Sequence, residues 1–151
     1  MHTIVSVKFT KKRNQGTKAI EYGHKALEIR EKIGSRLLAS TLLILGQLYQ
    51  SIGNYIQSKK YLLESLVAAQ KRFDQRIQAE AYKLLFKNYI DTQNYKAMDN
   101  LMTELYENIE IGVSAEILGI YMEVSRYYLS NDIEKAEKIL ERGLEKLNTS
   151  Y

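Results

Sequence analysis

Hydrophobic residues recur every three to four positions over most of this chain, which is the spacing of amphipathic α-helices. The pattern starts at about Thr17 and continues nearly to the C-terminus. Before it, residues 3–9 are rich in β-branched side chains and are more typical of a strand, and residues 11–16 resemble a loop. Glycine and short polar side chains interrupt the pattern, and such residues end one helix and cap the next. We therefore predict an all-α fold.

The interruptions divide the periodic region into one unpaired helix and three helical hairpins, about seven helices in all. The predicted helices cover residues 17–33, 36–52, 55–73, 75–92, 94–109, 115–129 and 132–147. Asn54, Asp74, Asn94 and Asp132 are the predicted capping residues, and Gly53 is the predicted left-handed stop. The chain has no proline, which suits a fold that is helical nearly throughout.

The three hairpins carry the same pattern, which predicts a stacked repeat in which each unit buries its apolar face against its neighbours. The first helices carry Leu45-Gly46-x-x-Tyr49, Leu85-Phe86-x-x-Tyr89 and Val124-x-x-Tyr127. The turns carry Gly53-Asn54-Tyr55, Asn94-Tyr95 and Asn131-Asp132-Ile133. The close-contact positions of the second helices are Ser58, Met98 and Ala136. The equivalent residues of the unpaired helix are Ala19, Gly23 and Ala26.

This pattern resembles the tetratricopeptide repeat (TPR), which implies a right-handed helical solenoid over residues 17–148, with repeats at about 36–73, 75–109 and 115–147. Two features depart from the motif. Phe86 and Val124 replace a small residue, which should spread those hairpins. The repeats are also long, since Tyr55 to Tyr95 is 40 residues and Tyr95 to Ile133 is 38, against about 34 in the standard repeat.

The long repeats and the segment Ala26-Leu27-Glu28-Ile29-Arg30-Glu31-Lys32-Ile33-Gly34 resemble the Rap, Npr and Plc type of quorum-sensing regulators of Gram-positive bacteria. That resemblance implies a non-catalytic TPR module that binds a peptide or protein segment, as the sensory part of a transcriptional or signalling regulator. Nothing in residues 1–16 resembles the output domain of such regulators. We expect this chain to be a fragment or a short relative, with residues 1–16 as a basic arm or a degenerate first helix.

A peptide ligand of a TPR solenoid would lie on the concave surface, which the first helix of each hairpin lines. These concave residues should lie on the helix face opposite the repeat tyrosines Tyr49, Tyr89 and Tyr127. The residues on that face are Ser40, Leu43, Gln47, Gln50, Glu80, Lys83, Lys87, Ile90, Leu118, Tyr121, Ser125 and Tyr128. We predict peptide binding by eight of these, namely Leu43, Gln47, Gln50, Lys83, Lys87, Tyr121, Ser125 and Tyr128. Amides can pair with a peptide backbone, lysines with carboxylates and tyrosines with apolar side chains.

Charge and composition leave two alternative functions open. Lys8, Lys11, Lys12, Arg13 and Lys18 make the first eighteen residues basic, while the rest of the chain is nearly neutral. This arm would be the means of binding nucleic acid, although one aromatic residue, Phe9, is little to stack on bases. The other alternative is an oligomerisation or assembly scaffold, because the unpaired first helix carries apolar residues such as Ile20 and Leu27 that need a partner.

The sequence contains no recognisable catalytic or metal-binding constellation, so we expect neither enzymatic activity nor a cofactor. There are no cysteines and two histidines. Glu21-x-x-His24 occurs once, whereas a di-metal carboxylate bundle needs that pair twice. Phosphate-binding glycine loops are also absent. No apolar run approaches the roughly 18 residues that a membrane span requires, and a cytoplasmic location is the expectation.

Overall fold

The computed structural model describes the backbone of residues 2–34, 36–108, 111–112 and 114–149, and the side chains of these ranges between residues 14 and 148. Within these ranges the chain is all-helical, with seven helices and no strand, as the hydrophobic pattern predicts. The helices are α1 (His2–Ile33), α2 (Leu38–Ser51), α3 (Tyr55–Lys71), α4 (Gln75–Asp91), α5 (Tyr95–Glu107), α6 (Ala115–Leu129) and α7 (Ile133–Thr149).

The N-terminal part differs from the sequence-based expectation. Helix α1 begins at His2 and crosses residue 16 without a break, so the strand-like interpretation of residues 3–9 and the loop at 11–16 are wrong. Intrinsic β propensity is a weak preference that context overrides. Extending an existing helix adds one hydrogen bond for each residue ordered, with no new nucleation cost. Gly16 lies inside α1, where an added Cβ would be 3.2 Å from Ile52 Cγ2.

The predicted capping residues act as caps. Side-chain oxygens of Asn54, Asp74, Asn94 and Asp132 each accept a hydrogen bond from the backbone N–H three residues later, at 3.0–3.2 Å. Gly53 has a φ of 78°, in the left-handed region that a glycine adopts without a Cβ penalty. Ser114 caps α6 in the same way, through Ile117 N at 3.3 Å. Local sequence therefore sets most of the helix boundaries.

Contacts between helices join elements that are one or two apart in chain order. Consecutive helices are in contact from α1 through α5, and α6 contacts α7. In addition, α4 contacts α2 and α6, and α5 contacts α7. The close-contact positions predicted from the repeat are buried, because Ser58, Met98 and Ala136 are at most 1% exposed. Gly46 lets α2 and α3 approach closely, since a Cβ there would lie 2.6 Å from Leu62 Cγ.

A buried polar network ties three of these helices together. Ser58 of α3 donates to the Gly46 carbonyl of α2 at 2.7 Å, and Asn88 Nδ2 of α4 donates to Ser58 Oγ at 2.9 Å. Gln50 Nε2 of α2 donates to Asn88 Oδ1 at 2.6 Å and to the Leu84 carbonyl at 2.9 Å. Because these groups are buried and satisfied, they fix the relative positions of α2, α3 and α4.

Candidate functional site

An open groove runs across α2, α4 and α6, with a volume of about 1120 Å³. The α2 side contributes Gln47, Gln50 and Ser51, with Tyr55 from the start of α3; α4 contributes Lys83, Leu84, Phe86, Lys87, Ile90 and Asp91; and α6 contributes Ala115, Glu116, Gly119, Ile120, Met122, Glu123 and Arg126. The lining therefore combines apolar floor residues with charged and amide side chains. Such a lining offers both apolar contacts and polar groups that can pair with the backbone or charges of a ligand.

Gln50 is the most strongly held polar residue of the groove. It is 8% exposed, and both hydrogens of its Nε2 are used in bonds to Asn88 and to the Leu84 carbonyl. Its amide oxygen is therefore the atom through which it can accept a hydrogen bond from a ligand. Since the side chain is already ordered in the free protein, binding through it costs little conformational entropy.

Charged residues of both signs line the groove. Lys83 and Lys87 lie one turn apart on the exposed face of α4. On α6, Arg126 pairs with Glu123 at 3.0 Å, both side chains being mostly exposed. The pKa of the Glu116 carboxyl is lowered, first by a hydrogen bond from its own backbone N–H, then by Ser114, and also by the charge of Lys83. Cationic and anionic positions therefore face each other between α4 and α6.

The structure brings half of the predicted binding residues together in this groove and places the other half elsewhere. Gln47, Gln50, Lys83 and Lys87 line it, as does Ile90 from the same predicted face. The buried residues are Leu43, Tyr121, Ser125 and Tyr128, which are between 2% and 9% exposed and do not line the groove. These four side chains are therefore not part of the groove surface.

The buried polar residues of α6 make contacts within the protein. Ser125 donates to the Ala136 carbonyl at 3.0 Å. The Tyr128 hydroxyl donates to Asp99 Oδ1 at 2.7 Å, and Lys135 pairs with Asp99 Oδ2 at 2.6 Å. Burial raises the pKa of the Tyr121 hydroxyl to about 12. These side chains hold α6 to α5 and α7.

The face of α6 that lines the groove differs from the predicted face because the turn of the third hairpin is one residue shorter than the other two turns. In the first two hairpins the backbone N–H of the capping Asn donates to the carbonyl of the tyrosine five residues earlier. Asn54 N donates to Tyr49 O and Asn94 N to Tyr89 O, both at 2.9 Å. In the third hairpin Asp132 N donates to Tyr128 O at 2.7 Å, only four residues back. Tyr128, and not Tyr127, is thus equivalent to Tyr49 and Tyr89.

The residue that the third turn lacks is the one with a left-handed backbone conformation in the first two turns. In the first two turns Gly53 and Gln93, each directly before the capping Asn, have φ values of 78° and 56°. In the third turn no residue between Tyr128 and the capping Asp132 has a positive φ. Alignment by turn spacing therefore placed the α6 face one residue out of register. A one-residue shift rotates a helical face by about 100°.

Sequence reasoning missed the α6 side of the groove, chiefly Met122, Glu123 and Arg126. A signal for them was present. Val124-Ser125-x-x-Tyr128 matches Leu45-Gly46-x-x-Tyr49 with the small residue retained. That alignment puts Arg126 at the position of Gln47 and Lys87, which both line the groove.

The described residues contain no group of three or more His, Cys, Asp or Glu side chains arranged to hold a metal ion. They also contain no helix that is both long enough and apolar enough to cross a membrane.

Comparison with known proteins yields no relative. No protein-family model matches the chain, and neither a curated protein nor a solved structure is significantly similar to it.

Proposed function

We propose that this chain is a TPR-like right-handed helical solenoid that binds an extended peptide or protein segment, without catalysis, in the groove across α2, α4 and α6. Its role would be the sensory part of a cytoplasmic bacterial regulator, as the long-repeat resemblance suggests. Helix contacts that stay within one or two elements along the chain support the solenoid. So do the recurring Asn or Asp caps and the burial of the close-contact positions Ser58, Met98 and Ala136.

One observation carries the binding proposal, namely that the groove collects the same face of three alternating helices. An elongated surface of this kind suits an elongated ligand. Lys83 and Lys87 would pair with a carboxylate of the ligand, and Glu116 with a cationic group opposite them. Ile90 and Met122 would contact apolar side chains, and the Gln50 amide oxygen would accept a backbone N–H.

Selection from a random-peptide display library against the immobilised full chain tests this proposal. A selected peptide is then labelled and titrated by fluorescence anisotropy with the wild type and with Lys83→Glu/Lys87→Glu. We expect the double variant to lose at least tenfold in affinity, which is about 1.4 kcal/mol. Its circular dichroism should not change, because both lysines are exposed.

The matched control is Lys71→Glu/Lys96→Glu, which makes the same change of net charge at exposed positions outside the groove. We expect this control to bind the peptide as the wild type does. The proposal fails if no peptide is enriched, or if the two double variants bind the selected peptide equally.

A further inference from the structure

The first and last helices each carry an apolar stripe whose side chains are 43–70% exposed. Helix α1 packs mainly on α2 and reaches α3 through His24, whose ring centroid is 5.6 Å from that of Tyr61. Its outward stripe holds Tyr22, Ile29 and Ile33, which are 60–70% exposed. Helix α7 packs on α6 through Ala136 and Gly143. Burying such side chains against a partner would remove considerable apolar area from water.

On α7 the exposed apolar stripe lies beside the buried face that contains Ala136 and Gly143. It consists of Ile133, Leu140 and Leu144, which are 43–61% exposed. The side of α7 that faces α5 is different, since Lys146 donates there to the Leu105 carbonyl at 2.6 Å and Tyr106 donates to Glu145 at 2.8 Å. The exposed stripe therefore faces away from α5, at the end of the helix stack.

The two stripes are bordered by opposite charges. On α1, Lys18, Lys25 and Lys32 recur every seven residues and run along one side of the stripe, all exposed. Lys25 lies over the Tyr22 ring, 5.6 Å from its centroid. On α7, Glu134, Glu137 and Glu141 run along one side of the stripe, also exposed.

The geometry of the helix decides how these borders meet. Each of Lys25 and Lys32 follows an apolar residue of its stripe by three positions, whereas Glu137 and Glu141 precede theirs by three. The basic and acidic borders therefore lie on opposite sides of their stripes, viewed from the N-terminus. When the two apolar stripes face each other, the lysine and glutamate borders lie on the same side of the contact if the helices are parallel. The seven-residue spacing of Lys18 and Lys25 equals that of Glu134 and Glu141.

We propose that copies of this chain associate end to end, with α1 of one copy packed parallel to α7 of the next. The apolar stripes face each other, and the lysine border of α1 meets the glutamate border of α7. Because the two surfaces differ, the contact is heterologous and can propagate to a third copy. A second copy is the occupant that supplies both the apolar area and the complementary charge. The groove residues take no part in it.

Sedimentation equilibrium of the full chain over a wide concentration range tests this proposal. We expect the weight-average mass to rise from the monomer value of 17.5 kDa to more than twice that value at high concentration. In about 1 M sodium chloride, where the Debye length is about 3 Å, the rise should require more protein. A mass that stays at the monomer value throughout overturns the proposal.

Reversing the charge of either border tests whether α1 and α7 form the contact between copies. Lys18→Glu/Lys25→Glu and Glu137→Lys/Glu141→Lys should each remain monomeric alone, because like charges then face each other. An equimolar mixture should associate again, since each variant offers the other a complementary pair. Lys71→Glu/Lys96→Glu, which changes exposed lysines outside α1 and α7, should associate as the wild type does.

Two outcomes of the reversal experiment contradict the proposal. If either reversed variant still self-associates like the wild type, the contact is symmetric or uses another surface. If both are monomeric and their mixture is too, the paired borders are not the contact. Circular dichroism of each variant establishes that the helices are retained, and all four substituted residues are exposed.

Discussion

At the scale of single residues, three buried polar atoms stand apart from an otherwise satisfied interior. Both amide atoms of Gln78 and the hydroxyl of Tyr121 are buried without a hydrogen-bond partner among the described residues. Other buried polar side chains, such as Ser65, which donates to the Ala39 carbonyl at 2.8 Å, are paired. An unpaired buried polar group costs about 1–3 kcal/mol, so these two residues are where the core loses stability.

The first prediction concerns Gln78, which is 0% exposed in α4. Replacing it with Met keeps a similar unbranched shape and removes the unpaired amide, so we expect Gln78→Met to raise the free energy of unfolding by about 1–2 kcal/mol. Urea denaturation measures the change. Gln47→Met, at an exposed position of α2, is the control and should stay within about 0.5 kcal/mol of the wild type. Destabilisation by Gln78→Met would mean that the amide has a partner.

The second prediction concerns alkaline pH. Burial raises the pKa of Tyr121 from 10.0 to about 12, so the fold favours the neutral phenol. That stability is complete below pH 10 and is lost as pH rises through about 12. Tyr127 contributes in the same direction, because a hydrogen bond with Tyr95 and burial raise its pKa to about 12.

Urea midpoints measured across this pH range check the prediction. The wild type should lose stability as pH rises from 10 to 12, and Tyr121→Phe should lose less. At neutral pH the same substitution should be neutral or stabilising, since it removes an unpaired hydroxyl. An identical pH dependence for the two proteins would contradict the assignment to Tyr121.

At the scale of helices, two glycines with different surroundings test how the elements pack. Gly46 faces α3, where a Cβ would lie 2.6 Å from both Leu62 Cγ and Cδ2 and 3.3 Å from the Leu62 backbone nitrogen. Gly119 is also inside a helix, α6, but a Cβ there would meet nothing within 4 Å. The same substitution should therefore have opposite effects at the two positions.

The third prediction follows from this contrast. Gly46→Ala should destabilise the protein by about 1–3 kcal/mol through overpacking of α2 on α3. Gly119→Ala should stabilise it by about 1 kcal/mol, because alanine has the higher helix propensity and space is available. Thermal or urea unfolding of both variants measures the effects. Equal effects would mean that the close approach at Gly46 is not required.

At the scale of the whole molecule, α4 is the central element. It contacts α2, α3, α5 and α6, whereas the described part of α1 contacts α2 and, through His24 against Tyr61, α3. The buried Asn88 network also anchors α4 to the helices before it. Because the helix contacts join elements one or two apart in chain order, we expect local stability to fall from α4 towards α1 and α7.

The fourth prediction is a graded pattern of amide hydrogen exchange. Amides of α4 should exchange most slowly, and those of the first turns of α1 and the last turns of α7 fastest, because helix ends open most easily. Native-state exchange followed by NMR or mass spectrometry gives the order directly. Uniform protection of α1 and α4 at low protein concentration would contradict it. Raised protection of α1 and α7 at high concentration is expected from the end-to-end contact.

The N-terminal region illustrates what local sequence could not show. Residues 3–9 have β-branched side chains, and short-range propensity favoured a strand, yet α1 is helical from His2. Propensity differences of a few tenths of a kcal/mol per residue are smaller than the gain from extending a helix that already exists.

Sequence alone determined the helical class, the capped turns at Asn54, Asp74, Asn94 and Asp132, and the α2 and α4 sides of the groove, because caps and hydrophobic periodicity depend on residues within a turn or two of each other. For α6 the sequence allowed two alignments, on Tyr127 or on Tyr128, and the tertiary structure decided between them. Ser125 and Tyr128 face inward and hydrogen-bond to the Ala136 carbonyl and to Asp99, and Arg126 lines the groove. The reason is physical, since the face that a helix buries is selected by the neighbours against which it packs.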